Sequence, residues 1–177
     1  MGVESRMSET KGAILSLLKD AYIKRDKIAL VTFSGNDACV VLPPTGSTER
    51  GYALLRELDT GGRPPLCAGI DKGLSVVQSE LRKRPDLLPL LIFITDGRGN
   101  VSTDPAKKPF EEALEKCEKI REIKQLDSMV VDIEKGGVMR FGLAEKLAAA
   151  LGAKYFRIEE LQSGELLHLV ETGRKEA

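Results

Sequence analysis

The feature that most limits how this chain can fold is the segment Leu87–Asn100, LLPLLIFITDGRGN, in which a continuous apolar run ends in a carboxylate and glycines. An apolar run of this length, preceded by Pro85 and followed by Gly97, is typical of a strand covered on both faces in a parallel α/β sheet. Ligands bind at the carboxyl ends of the strands in such sheets. We therefore expect Asp96, at the end of the run, to lie at the functional rim of a sheet.

Strands and helices alternate along the rest of the chain. Apolar positions recurring every three or four residues predict helices over 8–24, 48–58, 66–81, 110–124, 141–151 and 164–170, with Ser8 as the first N-cap. β-Branched and aromatic runs predict strands over 28–33, 38–42, 90–95, 129–133 and 155–158, the first two forming a hairpin that Pro43 and Pro44 end. This alternation predicts an α/β fold with a doubly wound, mostly parallel sheet flanked by helices, and with strand 38–42 antiparallel at one edge.

Length and charge exclude several classes of function. The 177 residues suit one domain, which we expect to span residues 1–177. Lysine plus arginine equals aspartate plus glutamate, 27 each, so no global field would attract nucleic acid or an acidic membrane. The chain starts without an apolar signal segment and has no apolar run near the ~18 residues of a membrane span. We therefore expect a cytoplasmic protein.

Other candidate groups carry weaker signals. Cys39, Cys67 and Cys117 are too far apart for a zinc site and odd in number, so they are expected to be reduced thiols. Cys67 lies at a helix start, where a thiolate is favoured, but packing is its expected role because the single histidine, His168, is distant in sequence. Asp132 ends its strand and is either a second carboxylate of the rim or a turn residue.

Five segments of the chain together resemble one family. Their sequences are IALVTF, ACVVLPPTGS, LDTGGRPPLCAGI, LIFITDGRGN and VVDIEKGGVMRFGLAEKLAAALGAKYFRIEEL. They resemble the C-terminal integrin-I, or von Willebrand factor A (vWA), domain of the magnesium chelatase D subunit and its cobalt-chelatase relatives, over nearly the whole chain. The resemblance implies an interaction domain of an ATP-dependent chelatase of tetrapyrrole biosynthesis, with the AAA+ ATPase subunit and the porphyrin-binding subunit as partners.

The resemblance also implies a metal site that has lost most of its ligands. In that family a metal-ion-dependent adhesion site (MIDAS) is built from a DxSxS motif, a threonine in a GGxTPL loop and the aspartate of a TDG turn. Mg²⁺ takes about six oxygen ligands in such sites. Here Asp96 matches the third ligand, Pro64 occupies the position of the threonine, and the DxSxS motif is missing. The resemblance therefore assigns Asp96 as the metal ligand of a degenerate site that binds Mg²⁺ weakly or not at all.

The family's first, central strand is also missing by this comparison. Arg6, Met7 and Ser8 match the residues that follow the DxSxS motif, and residues 1–7 are too polar to supply a strand. In the family that strand lies between the strands matched here by 28–33 and 90–95. Unless the sequence is a fragment of a longer protein, we expect these two strands to pair directly or the gap to be closed by self-association, because an empty gap leaves backbone groups unpaired.

Three functions are compatible with these observations. The first is a protein–protein interaction module that is not catalytic alone. The second is a small α/β enzyme that uses Asp96 as acid, base or phosphate acceptor, although the neighbouring loops offer mainly glycine, proline and arginine. The third is a metal-independent regulatory remnant of the family, which the proline at position 64 favours.

Overall fold

The structure is a computed structural model that describes residues 2–35, 37–57, 65–99, 101–134 and 141–161. The first elements are helix α1 (Gly2–Lys24), strands β1 (Ile28–Ser34) and β2 (Asp37–Thr45) and helix α2 (Thr48–Glu57). They are followed by α3 (Leu66–Lys83), β3 (Leu90–Thr95), α4 (Pro109–Arg121), β4 (Asp127–Asp132), α5 (Leu143–Leu151), β5 (Lys154–Arg157) and a 3₁₀ helix (Ile158–Leu161). The predicted alternation is confirmed, while the helix predicted over 164–170 lies outside the described residues.

The sheet that carries the rim has three strands in the order β3-β4-β5. Strands β3 and β4 are parallel, with a register that runs from Leu90 opposite Asp127 to Thr95 opposite Asp132. β3 is rich in isoleucine and leucine, and the last four residues of β4 are buried, as expected for parallel strands covered by helices. The predicted α/β fold with a parallel sheet flanked by helices is therefore confirmed.

One hydrophobic core joins residues of α3, α4 and α5 to residues of β3 and β4. Its fully buried side chains include Leu66, Ile70, Ile120 and Val130. Leu66 and Ile70 lie one helical turn apart, so α3 presents a continuous apolar stripe to the core. Burial of each such aliphatic side chain stabilises the fold by about 1.5–3 kcal/mol. The core therefore holds β3 and β4 in place, together with the edge of the sheet at which these strands end.

The chain divides into two compact units whose segments interleave in the sequence. Unit 1 takes the described residues of Met1–Leu30, Val41–Thr60 and Arg157–Ala177, and unit 2 those of Val31–Val40 and Gly61–Phe156. Unit 2 contains the core, β3, β4 and β5 as far as Phe156. In unit 1, α1 packs against α2, and a Cβ added to Gly51 would lie 2.8 Å from Cδ2 of Leu18. The single domain over residues 1–177 stays a prediction.

Two local predictions are wrong. Helix α1 begins at Gly2, so Ser8 lies inside the helix and is not its N-cap, because polar residues without apolar periodicity can still continue a helix. Strand β2 extends to Thr45 and includes Pro43 and Pro44, which were expected to end it. Proline is tolerated there because each strand of a two-stranded sheet is an edge strand.

Strands β1 and β2 form a two-stranded sheet of their own. The expected single sheet, and the direct pairing of strand 28–33 with strand 90–95, are therefore wrong for the part of the chain that the structure describes. Phe33 of β1 instead packs on α3, where a Cβ added to Gly69 would lie 2.6 Å from Cδ1 of Phe33. The end of β1 is thus held by side-chain packing on a helix rather than by backbone pairing with β3, and self-association stays a prediction.

Candidate functional site

The candidate site is the edge of the sheet at which β3 and β4 end. Thr95 and Asp132 are opposite each other in the register, and the N–H of Ile133 donates a 3.2 Å hydrogen bond to the carbonyl oxygen of Thr95. Asp96 follows Thr95 directly, and 24% of its side chain is exposed. The structure therefore places Asp96 at the rim, as the sequence predicted.

Asp96 stabilises the turn in which it lies. Its Oδ1 accepts a 3.0 Å hydrogen bond from the N–H of Arg98. Beneath it, Oγ1 of the buried Thr95 accepts a 3.0 Å hydrogen bond from the N–H of Gly97. Short side chains that bond the backbone two residues further on are typical of tight turns. The carboxylate thus has a structural role that requires no metal.

Gly97 brings this turn into contact with the start of α5. Its φ is +75°, a conformation that residues with a side chain rarely adopt. A Cβ at this position would lie 2.4 Å from the backbone nitrogen of Ala144 and 2.6 Å from Cβ of Leu143. The turn and the helix are therefore so close that only glycine fits between them.

Arg98 lies between two carboxylates. Its Nε is 3.7 Å from Oδ2 of Asp96, and its Nη2 is 3.5 Å from Oε1 of Glu134. The guanidinium carbon lies 5.0 Å from the centre of the Phe141 ring, within the range of a cation–π contact. Of these four residues, Arg98 and Phe141 are the exposed ones, with 52% of the arginine side chain and 58% of the phenylalanine accessible to solvent.

Asp132 is held by hydrogen bonds on both carboxylate oxygens. The N–H of Glu134 donates to Oδ1 at 2.7 Å, and the hydroxyl of Tyr155 on β5 donates to Oδ2 at 2.6 Å. Only 3% of Asp132 is exposed. Of the two roles expected for Asp132, a rim carboxylate or a turn residue, the structure shows a buried carboxylate beneath the rim that organises the turn after β4.

Glu134 is the second buried carboxylate. Its oxygens accept hydrogen bonds of 3.3 Å from the N–H groups of Phe141 and Gly142, just before α5. The start of a helix carries partial positive charge, which favours a carboxylate there. Together with its ion pair to Arg98, this arrangement ties the turn after β3 to the segment that precedes α5.

The described residues do not fit the Mg²⁺ site that the resemblance implies. Asp96 directs one oxygen to a backbone N–H and the other toward a guanidinium, while both oxygens of Asp132 accept hydrogen bonds. Among the residues that the structure describes, no group of three or more histidine, cysteine, aspartate or glutamate side chains could hold a metal ion. Pro64 and the rest of the loop over 58–64 lie outside the described residues.

A second polar centre holds the loop that follows the rim. Glu112 on α4 is buried and accepts hydrogen bonds from the hydroxyls of Ser102 and Thr103, and from the N–H groups of Thr103 at 2.9 Å and Asp104 at 3.2 Å. Lys116 lies 3.2 Å from its Oε1. Burial alone would raise the pKa of Glu112, but these hydrogen bonds outweigh burial and lower the pKa to about 2. Glu112 is therefore an anchor for residues 102–104.

The two buried cysteines are packing residues. The thiol of Cys67 donates to the carbonyl oxygen of Pro109 at 3.2 Å. Burial, with the nearby charge of Glu112, raises the pKa of Cys67 to about 11, and burial raises that of Cys117 to about 12. Because the thiolate is the reactive form, the packing role expected for Cys67 fits the structure better than a nucleophilic one.

Four residues of the rim were not predicted. They are Arg98, Glu134, Phe141 and Tyr155. Arg98 and Glu134 each stand two residues after a strand-ending aspartate, and this spacing could have indicated them. Phe141 and Tyr155 carry no comparable signal, because their approach to the rim depends on how α5 and β5 return to the sheet.

Sequence comparisons give a consistent family. Residues 1–98 match the family model of the von Willebrand factor type A domain. The chain is 38% identical to an uncharacterized protein of Methanocaldococcus jannaschii, over 97% of each chain. It is 36% identical to the magnesium-chelatase 67 kDa subunit of Chlorobaculum parvum, over 92% of this chain and 28% of that subunit. An uncharacterized protein of Mycobacterium tuberculosis is 35% identical, over 96% of this chain and 26% of that protein. The chain thus spans about a quarter of the length of the latter two relatives.

Solved structures share the fold at low sequence identity. The conserved hypothetical protein BatB from Bacteroides thetaiotaomicron superposes with a TM-score of 0.67 at 16% identity, covering 96% of this chain and 87% of that one. The SpRpn10 VWA domain superposes with a TM-score of 0.63 at 9% identity, covering 92% of this chain and 82% of that one.

Among the described helices, none combines the length and the apolar composition needed to cross a bilayer.

Proposed function

Because the chain belongs to the von Willebrand factor type A domain family, we propose that it is a protein–protein interaction module and does not catalyse a reaction alone. The region of the magnesium-chelatase 67 kDa subunit that it matches supports a role in a chelatase-type assembly. On this proposal its partners are the AAA+ ATPase subunit and the porphyrin-binding subunit of a magnesium or cobalt chelatase in tetrapyrrole biosynthesis. The module would act in the cytoplasm.

The observation that carries this proposal is the exposed Arg98–Phe141 pair at the rim. Arginine and aromatic side chains are enriched among the residues that dominate binding energy in protein interfaces. The buried Glu134 and the rigid turn at Asp96 hold the pair from beneath, so little side-chain freedom is lost when a partner binds. The rim carboxylates accept hydrogen bonds from the chain's own groups, which favours an interaction surface over an acid–base site.

We also propose that the MIDAS is degenerate and that Asp96 binds Mg²⁺ weakly or not at all. The arrangement of its oxygens, described above, supports this. In this respect the module resembles the metal-independent regulatory remnant that the sequence also allows. Self-association through β3, an edge strand of its sheet, is a further proposed contact, because edge strands offer unpaired backbone groups.

The proposal can be tested by measuring binding of the purified chain to the purified ATPase and porphyrin-binding subunits of the same organism. We expect Phe141→Ala to weaken binding to one of them by about tenfold or more. The control is Arg82→Ala, an exposed residue in the last turn of α3, which precedes β3 in the chain. Failure of both subunits to bind at 100 µM, or equal binding by the wild type and Phe141→Ala, would contradict the proposed function.

A calorimetric titration tests the metal separately. We expect no saturable binding of Mg²⁺ or Mn²⁺ at about 1 mM, and the same trace for Asp96→Ala. Tighter binding that Asp96→Ala abolishes would show instead that a metal site survives.

A further inference from the structure

We propose that Arg98 is the resident cation of the rim. Its guanidinium lies between Asp96 and Glu134 and supplies the positive charge that a divalent metal ion supplies in the family's metal site. A cation already present beside Asp96 would explain why the described residues fit Mg²⁺ poorly. This proposal concerns the charge balance of the rim and needs no partner. It can therefore fail while the proposed interaction function holds, and the reverse is also true.

The guanidinium of Arg98 lies close to two carboxylates. Its Nε and Nη2 lie 3.7 Å and 3.5 Å from oxygens of two carboxylates that belong to separate loops, one after β3 and one after β4. A planar guanidinium can serve two carboxylates at once, whereas the point charge of lysine is less suited to this. The Phe141 ring, 5.0 Å from the guanidinium carbon, further limits where the group can lie. Arg98 thus joins the TDG turn, which is one loop of the family's metal site, to the loop that follows β4.

The buried carboxylate of Glu134 requires a cation beside it. Only 6% of the Glu134 side chain is exposed, and an ionised carboxylate with so little access to water requires compensation. Two backbone N–H groups at 3.3 Å supply part of it. Within the described residues the ion pair of Glu134 is with Arg98. Removal of the guanidinium would leave a buried negative charge short of its counter-ion.

The guanidinium of Arg98 and a divalent metal ion exclude each other at Asp96. A divalent ion bound to Asp96 would stand beside a guanidinium that already lies 3.7 Å from the same carboxylate, and like charges at such distances repel each other. Metal and arginine therefore compete for Asp96. Because the arginine is covalently part of the chain, its effective concentration at Asp96 is high, and the metal is disfavoured.

The decisive experiment is a titration with Mn²⁺, followed by electron paramagnetic resonance, of four variants beside the wild type. Arg98→Gln removes the charge at an exposed side chain, so the protein should fold. We expect it to bind Mn²⁺ at least tenfold more tightly than the wild type, and the double variant Asp96→Asn/Arg98→Gln to lose that gain. Arg98→Lys keeps a cation beside Asp96 and should bind Mn²⁺ less tightly than Arg98→Gln does. Arg82→Gln, which changes an exposed arginine on α3, should behave like the wild type. Equal binding by the wild type and Arg98→Gln, including no binding by either, would overturn the proposal.

A double-mutant cycle on stability provides a second measurement without metal. If Arg98 neutralises Glu134, Arg98→Gln should lower the ratio of folded to unfolded protein by about tenfold in the wild type and by much less in a Glu134→Gln background. This comparison holds whatever Glu134→Gln alone costs through the two backbone N–H groups that the carboxylate accepts. Additive effects of the two substitutions would show that the charges are not coupled and would equally reject Arg98 as the resident cation.

Discussion

The hydroxyl of Tyr155 donates a 2.6 Å hydrogen bond to Oδ2 of Asp132, so the last strand of the sheet fixes the carboxylate that ends the middle strand. We expect Tyr155→Phe to lower the free energy of unfolding by about 1.5–3 kcal/mol, the range for hydrogen bonds to charged groups. The ring remains in this variant, while the hydroxyl that donates to a buried carboxylate is lost. Urea unfolding followed by circular dichroism measures the change.

The control for this prediction is Tyr22→Phe. Tyr22 lies near the end of α1 and is 66% exposed, so removal of its hydroxyl should change stability by less than about 0.5 kcal/mol. Similar losses for the two variants would show that the Tyr155 hydroxyl has no special role.

Glu112→Gln tests the anchor of the loop over 102–104. The amide would point N–H donors at backbone N–H groups that now donate to a carboxylate, so we expect a loss of about 2–4 kcal/mol in the free energy of unfolding. The neighbouring Glu111 is exposed and pairs with exposed Lys108 at 3.2 Å. Glu111→Gln should therefore cost less than about 1 kcal/mol, and chemical denaturation of both variants gives the comparison.

The same carboxylate predicts how stability depends on pH. The pKa of Glu112 is lowered from 4.5 to about 2 in the folded chain, so the folded state binds the proton less readily than the unfolded state does. Its stabilisation is fully present above pH 4.5 and is lost as the pH falls toward 2. Unfolding measured between pH 6 and pH 2 should show a steeper loss for the wild type than for Glu112→Gln, and parallel curves would contradict this assignment.

Gly97→Ala should destabilise the chain more than Gly35→Ala. Both Gly97 and Gly35 have positive φ, but an added Cβ at Gly35 has no described atom within 4 Å, whereas at Gly97 it would meet the backbone of α5. We expect about 1 kcal/mol for Gly35→Ala and about 2–5 kcal/mol for Gly97→Ala, which adds the overlap to the strain. Thermal unfolding of the two variants separates these contributions, and equal losses would mean that the turn can move away from α5.

Thiol titration checks the burial of the core. Of the three cysteines, Cys39 is exposed and Cys67 and Cys117 are buried. With a disulfide reagent at pH 8, we expect one thiol to react quickly in the native protein and three in urea. The variant Cys39→Ser should show no fast reaction, because burial raises the pKa of both remaining thiols. Fast reaction of two or three native thiols would mean that α3 and α4 do not pack as described.

Much of the fold could be predicted because its elements carry local signals. The apolar stripe of α3 and the apolar run of β3 are strong patterns, and each was assigned the correct type and nearly the correct ends. The pairing of β1 was not predictable, because it depends on whether Phe33 packs on Gly69 of α3 or the backbone of β1 reaches β3. That choice is made by tertiary contacts and leaves no period in the sequence.

The site was predicted in its location and only in part in its members. Asp96 is where a parallel sheet places a strand-ending carboxylate, so the rim could be read from one segment. The role of Arg98 could not, because it depends on Glu134, which lies 36 residues further along the chain. The family resemblance indicates a metal ion and its missing ligands, and it carries no signal for a cation that the chain itself supplies.

The turn after β3 has a consequence for how short motifs are used to classify proteins. Thr95 accepts the N–H of Gly97, Asp96 accepts the N–H of Arg98, and Gly97 fits against α5, so each residue of the TDG tripeptide has a structural task. Natural selection for folding alone would therefore preserve these three letters after metal binding had been lost. A genome survey that counts TDG turns therefore measures how widespread this turn architecture is, and metal dependence has to be established from the other ligands.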